Sequence, residues 1–166
     1  MTRKNINYGR DQFNIENIHF TPSATGQELL NKGIQLLNQR NYRQAIDVLS
    51  KAIKAEPSIS DAYYYLAIAL LGGKRPKKVD EWTIRDIEEK LDVAISNNAS
   101  SSHCYMLWAI IKYGHYAMNC FIEKSPTSEQ LFSHGKSIKH QYAREILFHL
   151  EDPSNPYWKY LYNNFV

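Results

Sequence analysis

The chain has 166 residues, of which 43% are hydrophobic and 22% charged, with 7 Gly, 6 Pro and 2 Cys. This composition excludes a collagen-like chain, a fully disordered chain and a small disulfide framework, and it is typical of one globular domain. The net charge of +3 comes from 20 basic and 17 acidic side chains, and it is too close to balance to indicate a nucleic-acid or membrane partner.

The N-terminal segment differs in pattern from the rest of the chain. Between residues 5 and 20, apolar and Asn-rich polar positions alternate on both sides of Gly9, which predicts two short strands. Helical spacing begins after Pro22, so we divide the chain into a strand-like extension, 1–22, and a helical domain, 23–166. The first ten residues lack the apolar core of a signal peptide, and no window is apolar for about 18 residues. We therefore expect a cytoplasmic protein with no membrane partner.

The alternation around Gly9 resembles the Gly-centred, Asn/Gln-rich strand pairs of amyloid-signalling motifs, including the RIP homotypic interaction motif. It is also similar to leader segments ahead of bacterial signalling NTPases and repeat proteins. The resemblance implies an adaptor in a bacterial signalling or defence pathway, recruited by β self-assembly. The alternative is a plain strand or leader that rests on the helical domain. The candidate self-assembly residues are Ile6, Tyr8, Gly9, Phe13 and Ile15.

From residue 23 onward the apolar residues recur at helical spacing, which predicts an all-α domain of about seven helices. Pro57, Gly72 and Pro126 are stop signals, and Thr127 with Gln130 forms a candidate capping box. The predicted helices span 25–39, 42–55, 60–72, 79–97, 101–123, 127–150 and 156–163.

The two cysteines, Cys104 and Cys120, both fall within the predicted helix 101–123. Their separation of 16 residues corresponds to about 24 Å along a helix, which is too far for a disulfide. We therefore expect reduced thiols, as in cytoplasmic proteins.

An internal repeat is the strongest pattern in the chain. Leu29 and Gly33 recur 34 positions later as Tyr63 and Ala67, and this is the tetratricopeptide period. Residues 26–59 resemble one tetratricopeptide repeat, with small, large, small and Pro residues where that family has them. The pattern requires close helix contact, and the small and large side chains that provide it are Gly33, Ala45, Leu36 and Leu49.

A second unit begins at residue 61, but its second helix is displaced by an insertion of eight residues around 74–82. A third unit follows 42 positions after the second, where Tyr63 matches Tyr105. The resemblance covers residues 26 to about 113. It implies a right-handed array of paired helices, with a short β-like extension at the N-terminus.

The tetratricopeptide resemblance implies a concave groove lined by the first helix of each pair. This groove is predominantly apolar and lacks the basic and Asn clamp of relatives that bind chaperone tails. We therefore expect a non-enzymatic scaffold or adaptor whose groove binds a peptide or helix of a partner protein. The other candidate occupant is the aromatic-rich last helix of the chain itself. The residues carried over to the groove are Gln27, Leu30, Ile34, Leu37, Asp61, Tyr64, Ile68, Leu71, His103, Met106, Ile110 and Tyr113.

Residues that could carry chemistry form no recognised motif. No Gly-x-Ser-x-Gly, His-Glu-x-x-His or Gly-x-Gly-x-x-Gly pattern occurs, so we expect no cofactor and no enzymatic activity. The densest set of metal-ligand types is His103, Cys104, His115 and Cys120, which point to different faces of one predicted helix. The alternative to a binding protein is an enzyme or metalloprotein whose site, in the His-rich C-terminal half, has no recognisable sequence motif.

The inserted segment carries a basic run at residues 74–78. Asp80 and Glu81 partly neutralise this run, which is typical of a solvated loop rather than of a nucleic-acid interface. The sequence therefore predicts a protein or peptide partner, no metal, and self-association only through the N-terminal extension.

Overall fold

The computed structural model of the protein describes residues 24–166, and these form eight α-helices and no strand. The prediction of an all-α domain is therefore confirmed. The predicted strand pair at 5–20, with its candidate self-assembly residues, lies outside the described residues. The helices are α1 (Gly26–Asn38), α2 (Tyr42–Ala55), α3 (Ser60–Leu71), α4 (Glu81–Asn97), α5 (Ser102–His115), α6 (Ser128–Gly135), α7 (His140–His149) and α8 (Pro156–Phe165). Short 3₁₀ turns lie at Pro76–Lys78 and Ala117–Asn119.

Side-chain caps account for several of the helix starts. The predicted capping box is confirmed, because the Thr127 hydroxyl accepts from the N–H of Gln130 and the Gln130 side chain accepts from the N–H of Thr127. The Asp80 carboxylate accepts the N–H of Thr83 at the start of α4. At α8 the Asn155 amide oxygen caps a helix whose first residue is proline.

No helix of the described residues is long and apolar enough to cross a membrane.

The predicted helix 101–123 is wrong in its second half, because α5 ends at His115. The Asn119 side-chain amide donates to the carbonyl oxygens of His115 and Lys77, which satisfies the helix end and fixes the turn that follows. Cys120 then adopts a left-handed conformation with φ of 59°, and the chain changes direction. The two cysteines thus do not share a helix, yet both thiols are free, with Cys104 buried and Cys120 exposed.

The predicted helix 127–150 is divided into α6 and α7. The break follows Gly135, where a Cβ atom would lie only 2.6 Å from the backbone nitrogen of Met106. Glycine is therefore required for the contact between α6 and α5, and it also disfavours continuation of the helix. The chain reverses over residues 136–139, so α7 is free to run across the earlier helices.

Consecutive helices pack closely within the pairs α1 with α2 and α3 with α4. A Cβ at Gly33 would lie 2.5 Å from the Leu49 side chain, so the close approach expected at this position is confirmed. Ala45 and Leu49 are fully buried at the same junction. The remaining close pair, α5 with α6, is joined through the turn segment 116–127 rather than by a tight loop.

Helix α3 lies at the centre of the domain, and ten of its twelve residues are buried. On the side away from α2 and α4, α7 covers it. The Tyr65 hydroxyl donates to Glu145 Oε2 over 2.9 Å. The ring of Tyr142 stacks on His103 with 3.9 Å between centroids, and it meets Tyr64 edge to face. These contacts place α7 along α3 and the start of α5.

Helix α8 covers the adjoining end of α5. The Asn155 amide donates to the carbonyl oxygen of Ile110 over 2.8 Å, and the Tyr157 ring lies against Tyr113 at 5.6 Å. Trp158 and Leu161 are buried. The last helix therefore covers part of the apolar surface, as the sequence suggested, and α7 covers another part.

Deletion of residues 156–166 should expose Tyr113 and Leu150 and make the protein dimerise or aggregate, because aromatic side chains of this kind each bury about 150–250 Å². Size-exclusion chromatography with light scattering measures the effect. A deletion variant that stays monomeric, with an unchanged melting temperature, would show that α8 contributes nothing to this surface.

A pH effect should originate at His149, which lies at the end of α7. Burial, with a smaller contribution from the charge of Arg40, lowers the pKa of His149 to about 4 from an ordinary value of 6.5. As the pH falls, His149 is therefore protonated in the unfolded chain at a higher pH than in the folded chain. The stability that neutral His149 provides is complete above pH 6.5, declines below it, and is lost near pH 4.

We expect the free energy of unfolding in urea to fall between about pH 7 and about pH 5, and His149→Phe to remove part of that fall. His140→Phe, an exposed position at the start of the same helix, is the matched control and should retain the wild-type pH dependence. An identical pH dependence in wild type and His149→Phe would contradict the assignment.

Candidate functional site

The groove residues predicted from the tetratricopeptide resemblance mostly lie inside the domain. Eight of the twelve are buried, three are partly buried and Gln27 is exposed. Ile68, for example, is only 2% exposed, so its replacement by Asp would test stability before it tested binding. The expected open concave groove is not formed by the part of the chain described here, because α7 and α8 occupy that side. The buried members are Leu30, Leu37, Tyr64, Ile68, Leu71, His103, Met106 and Ile110, and the partly buried ones are Ile34, Asp61 and Tyr113.

A polar network closes the edge of this covered face. His103 Nε2 lies 3.2 Å from Asp61 Oδ1, and the Tyr142 hydroxyl donates to Asp61 Oδ2 over 3.4 Å. The hydrogen bond with His103 lowers the pKa of Asp61. Burial raises the pKa of neighbouring Cys104 to about 12, so the thiol stays protonated and is a poor nucleophile. The network therefore fixes α7 to α3 and α5 and does not resemble a catalytic dyad with an activated cysteine.

The four residues of the densest metal-ligand set are dispersed by the fold. His103 pairs with Asp61, whereas His115 lies beside the 3₁₀ turn at 76–78. Cys104 is buried and Cys120 is exposed. Within residues 24–166 no group of three or more His, Cys, Asp or Glu side chains is arranged to hold a metal ion.

A separate concavity lies between the start of α4, the second half of α5 and the segment 120–126. We call it the outer pocket. Its volume is about 550 Å³, within the range of small-ligand and side-chain pockets. It is lined by Glu81, Arg85, Glu88, Trp108, Lys112, His115, Tyr116, Phe121, Ile122, Lys124, Ser125 and Pro126.

A buried ion pair forms one wall of the outer pocket. Glu88 accepts from Trp108 Nε1 and from the Tyr116 hydroxyl, each over 3.0 Å, and Lys112 Nζ lies 3.4 Å from its Oε1. Burial, together with Glu88, raises the pKa of Tyr116 to about 12. Lys112 also donates to the carbonyl oxygen of Lys124 over 2.8 Å. The pair thus holds the segment 120–126 against α5 and gives the pocket a rigid polar side.

His115 adds an unpartnered ring nitrogen to the same wall. Its Nδ1 lies 3.4 Å from the carbonyl oxygen of Pro76, which can only accept, so Nδ1 carries a proton and donates it. Nε2 is buried without a hydrogen-bond partner among the described residues.

Three large apolar side chains are exposed at or beside the outer pocket: Phe121 and Ile122 line it, and Trp82 lies next to its lining residue Arg85. Trp82 is 80% exposed, Ile122 is 89% exposed and Phe121 is 56% exposed. The Arg85 guanidinium, which lines the pocket, lies 5.6 Å from the centroid of the Trp82 ring. Apolar residues grouped around a pocket in this way are typical of a binding surface rather than of a chance surface distribution.

Sequence reasoning missed the outer pocket although its parts were visible. The basic run in the insertion around 74–82 is typical of a solvated loop, but the end of this insertion contributes Glu81 to the pocket lining and carries the exposed Trp82. Phe121 and Ile122 were placed inside a continuous helix. The signal that could have found them is the polar Asn119 before the sequence Cys120-Phe121-Ile122, which is a candidate helix end followed by apolar side chains.

Removal of one partner of the buried pair should destabilise the fold more than removal of a surface charge. Glu88→Gln leaves the Lys112 ammonium buried without its counter-ion, and we expect a loss of about 3 kcal/mol in unfolding free energy. The matched control is Asp47→Asn, which breaks an exposed pair with Lys51 and should cost under about 1 kcal/mol. Equal losses, measured by urea unfolding, would contradict the structural role of Glu88.

No family model, no curated protein and no solved structure matches this chain. The tetratricopeptide resemblance therefore stays a prediction that rests on the spacing of residues 26–113.

Proposed function

We propose that the chain is a non-catalytic interaction module that binds a segment of a partner protein at the outer pocket. The observation that carries the proposal is the pair of exposed apolar side chains, Phe121 and Ile122, that line a preformed cavity, with exposed Trp82 beside the lining residue Arg85. Trp at the centre of an interface contributes more binding energy than most residues, because it buries a large rigid surface. A segment with one or two apolar side chains would bury this surface.

The proposal keeps the interaction role expected from the sequence but moves the binding surface. Use of the concave face would require α7 to leave, which would expose Tyr64 and Ile68 and break the hydrogen bonds of Tyr142 and Glu145. Use of the outer pocket requires no such rearrangement. A preformed surface loses less conformational entropy when it binds a partner, and this favours the outer pocket.

The chemistry of the described residues supports binding rather than catalysis. Glu88 is already engaged by three donors, and Lys112 by Glu88 and a backbone carbonyl. A general base or nucleophile needs a free lone pair directed at a substrate, and neither group offers one. Free thiols at Cys104 and Cys120 support a cytoplasmic location as part of the same proposal.

Selection from a random linear-peptide library displayed on phage tests this function. The full chain should enrich a set of related peptides, and synthetic copies should bind it in solution. Ile122→Asp should weaken their binding at least about tenfold, because one buried apolar side chain contributes about 1.5–3 kcal/mol.

The matched control is Val166→Asp, which places the same charge at an apolar residue that is 82% exposed and lies outside the pocket. It should bind the selected peptides as the wild type does. No enriched peptides, or equal binding by wild type and Ile122→Asp, would refute the proposed function. Circular dichroism of both variants establishes that they are folded.

A further inference from the structure

We infer that the segment bound at the outer pocket is acidic, with an apolar side chain in the pocket and carboxylates on the lysines beside it. This inference rests on the proposed function and names the chemistry of the partner. It is carried by the charges that remain unpaired around the rim once every ion pair and cap has been assigned.

The acidic side chains near the rim are all engaged. Glu81 pairs with Arg85 on the first turns of α4. Asp80 accepts from the backbone and the hydroxyl of Thr83. Glu123 accepts the N–H of Ser128 over 2.7 Å. These carboxylates are therefore already committed to local partners, as Glu88 is to the pocket wall.

Arg85 and Lys112 are paired with Glu81 and Glu88, but three other basic side chains beside the pocket are not engaged in this way. Lys77, Lys78 and Lys124 are exposed, and their ammonium groups make no hydrogen bond or ion pair with another residue of the range 24–166. The turn that carries Lys77 is fixed next to the pocket, because its carbonyl oxygen accepts from Asn119 over 3.2 Å. Lys124 itself lines the pocket. The rim thus combines apolar side chains with uncompensated positive charge.

The concave shape favours a peptide over a lipid surface. A cavity of about 550 Å³ accepts a leucine or aromatic side chain together with part of a backbone, whereas a bilayer presents no such projection.

The lysines should determine selectivity and association rate more than total affinity. Exposed ion pairs contribute about 0.5 kcal/mol each, so three of them change affinity by about tenfold in total. Most of the binding energy should come from the apolar contact. Binding should accordingly weaken with added salt but persist in part.

The test uses the peptides selected by the full chain. We expect their sequences to combine one or two large apolar residues with an excess of Asp and Glu. A synthetic peptide with its carboxylates replaced by amides should bind about tenfold more weakly. The triple variant Lys77→Gln, Lys78→Gln, Lys124→Gln should lose the preference for the acidic peptide over its amide form.

The control triple variant is Lys54→Gln, Lys136→Gln, Lys159→Gln, which removes the same charge from exposed positions that do not line the pocket. It should retain the preference. Selected peptides that are neutral or basic, yet depend on Ile122, would overturn this inference and leave the proposed function intact. Failure to enrich any peptide would instead refute the proposed function.

A second arm uses vesicles of phosphatidylcholine with and without phosphatidylserine. We expect no sedimentation of the protein with either. Strong binding to the phosphatidylserine vesicles, lost in the Lys77, Lys78, Lys124 triple variant, would assign the surface to an anionic membrane and overturn the peptide inference.

Discussion

The burial of α3 on all sides is the constraint on which the rest of the structure depends. The sequence of α3, SDAYYYLAIALL, is apolar around the whole helix rather than along one stripe, and such a helix is stable only when neighbours surround it. Helices α2 and α4 cover two sides. The third side, which would line the concave face of an open helical array, must also be covered. Helix α7 does this with Tyr142 and Glu145, and a break after Gly135 is what allows α7 to reach it.

A closed inner face directs binding to the outside of the domain. The outer pocket lies where α5 ends early at His115 and where Glu81, at the end of the insertion around 74–82, begins α4, and both are departures from a regular repeat. The buried pair of Glu88 and Lys112 holds the segment 120–126 in place, so that Phe121 and Ile122 stay exposed on a fixed backbone. Rigid presentation of this kind lowers the entropic cost of binding a partner.

The sequence predicted the helical class, five of the eight helices to within a few residues, and the close approach of α1 and α2 at Gly33. These features depend on local periodicity and on turn residues. The course of the chain after His115 could not be predicted, because it depends on Asn119 bridging to Lys77, which is 42 positions away. The cover over α3 could have been inferred from the all-round apolar pattern of 60–71. The pocket could not, since it depends on how α4, α5 and the segment 120–126 pack against one another.

Proton–proton nuclear Overhauser effects between the rings of His103 and Tyr142 test the central claim most directly, that α7 closes the inner face. Their centroids lie 3.9 Å apart in a stacked arrangement, close enough for strong cross-peaks in the folded, unmodified chain. The account predicts these cross-peaks, together with weaker ones between Tyr142 and Tyr64, whose centroids are 5.8 Å apart. The contradicting result is the absence of both sets of cross-peaks in a spectrum where the Tyr64 and His103 rings are assigned and show contacts within α3 and α5. It would mean that α7 lies elsewhere and that the concave face is accessible to a partner.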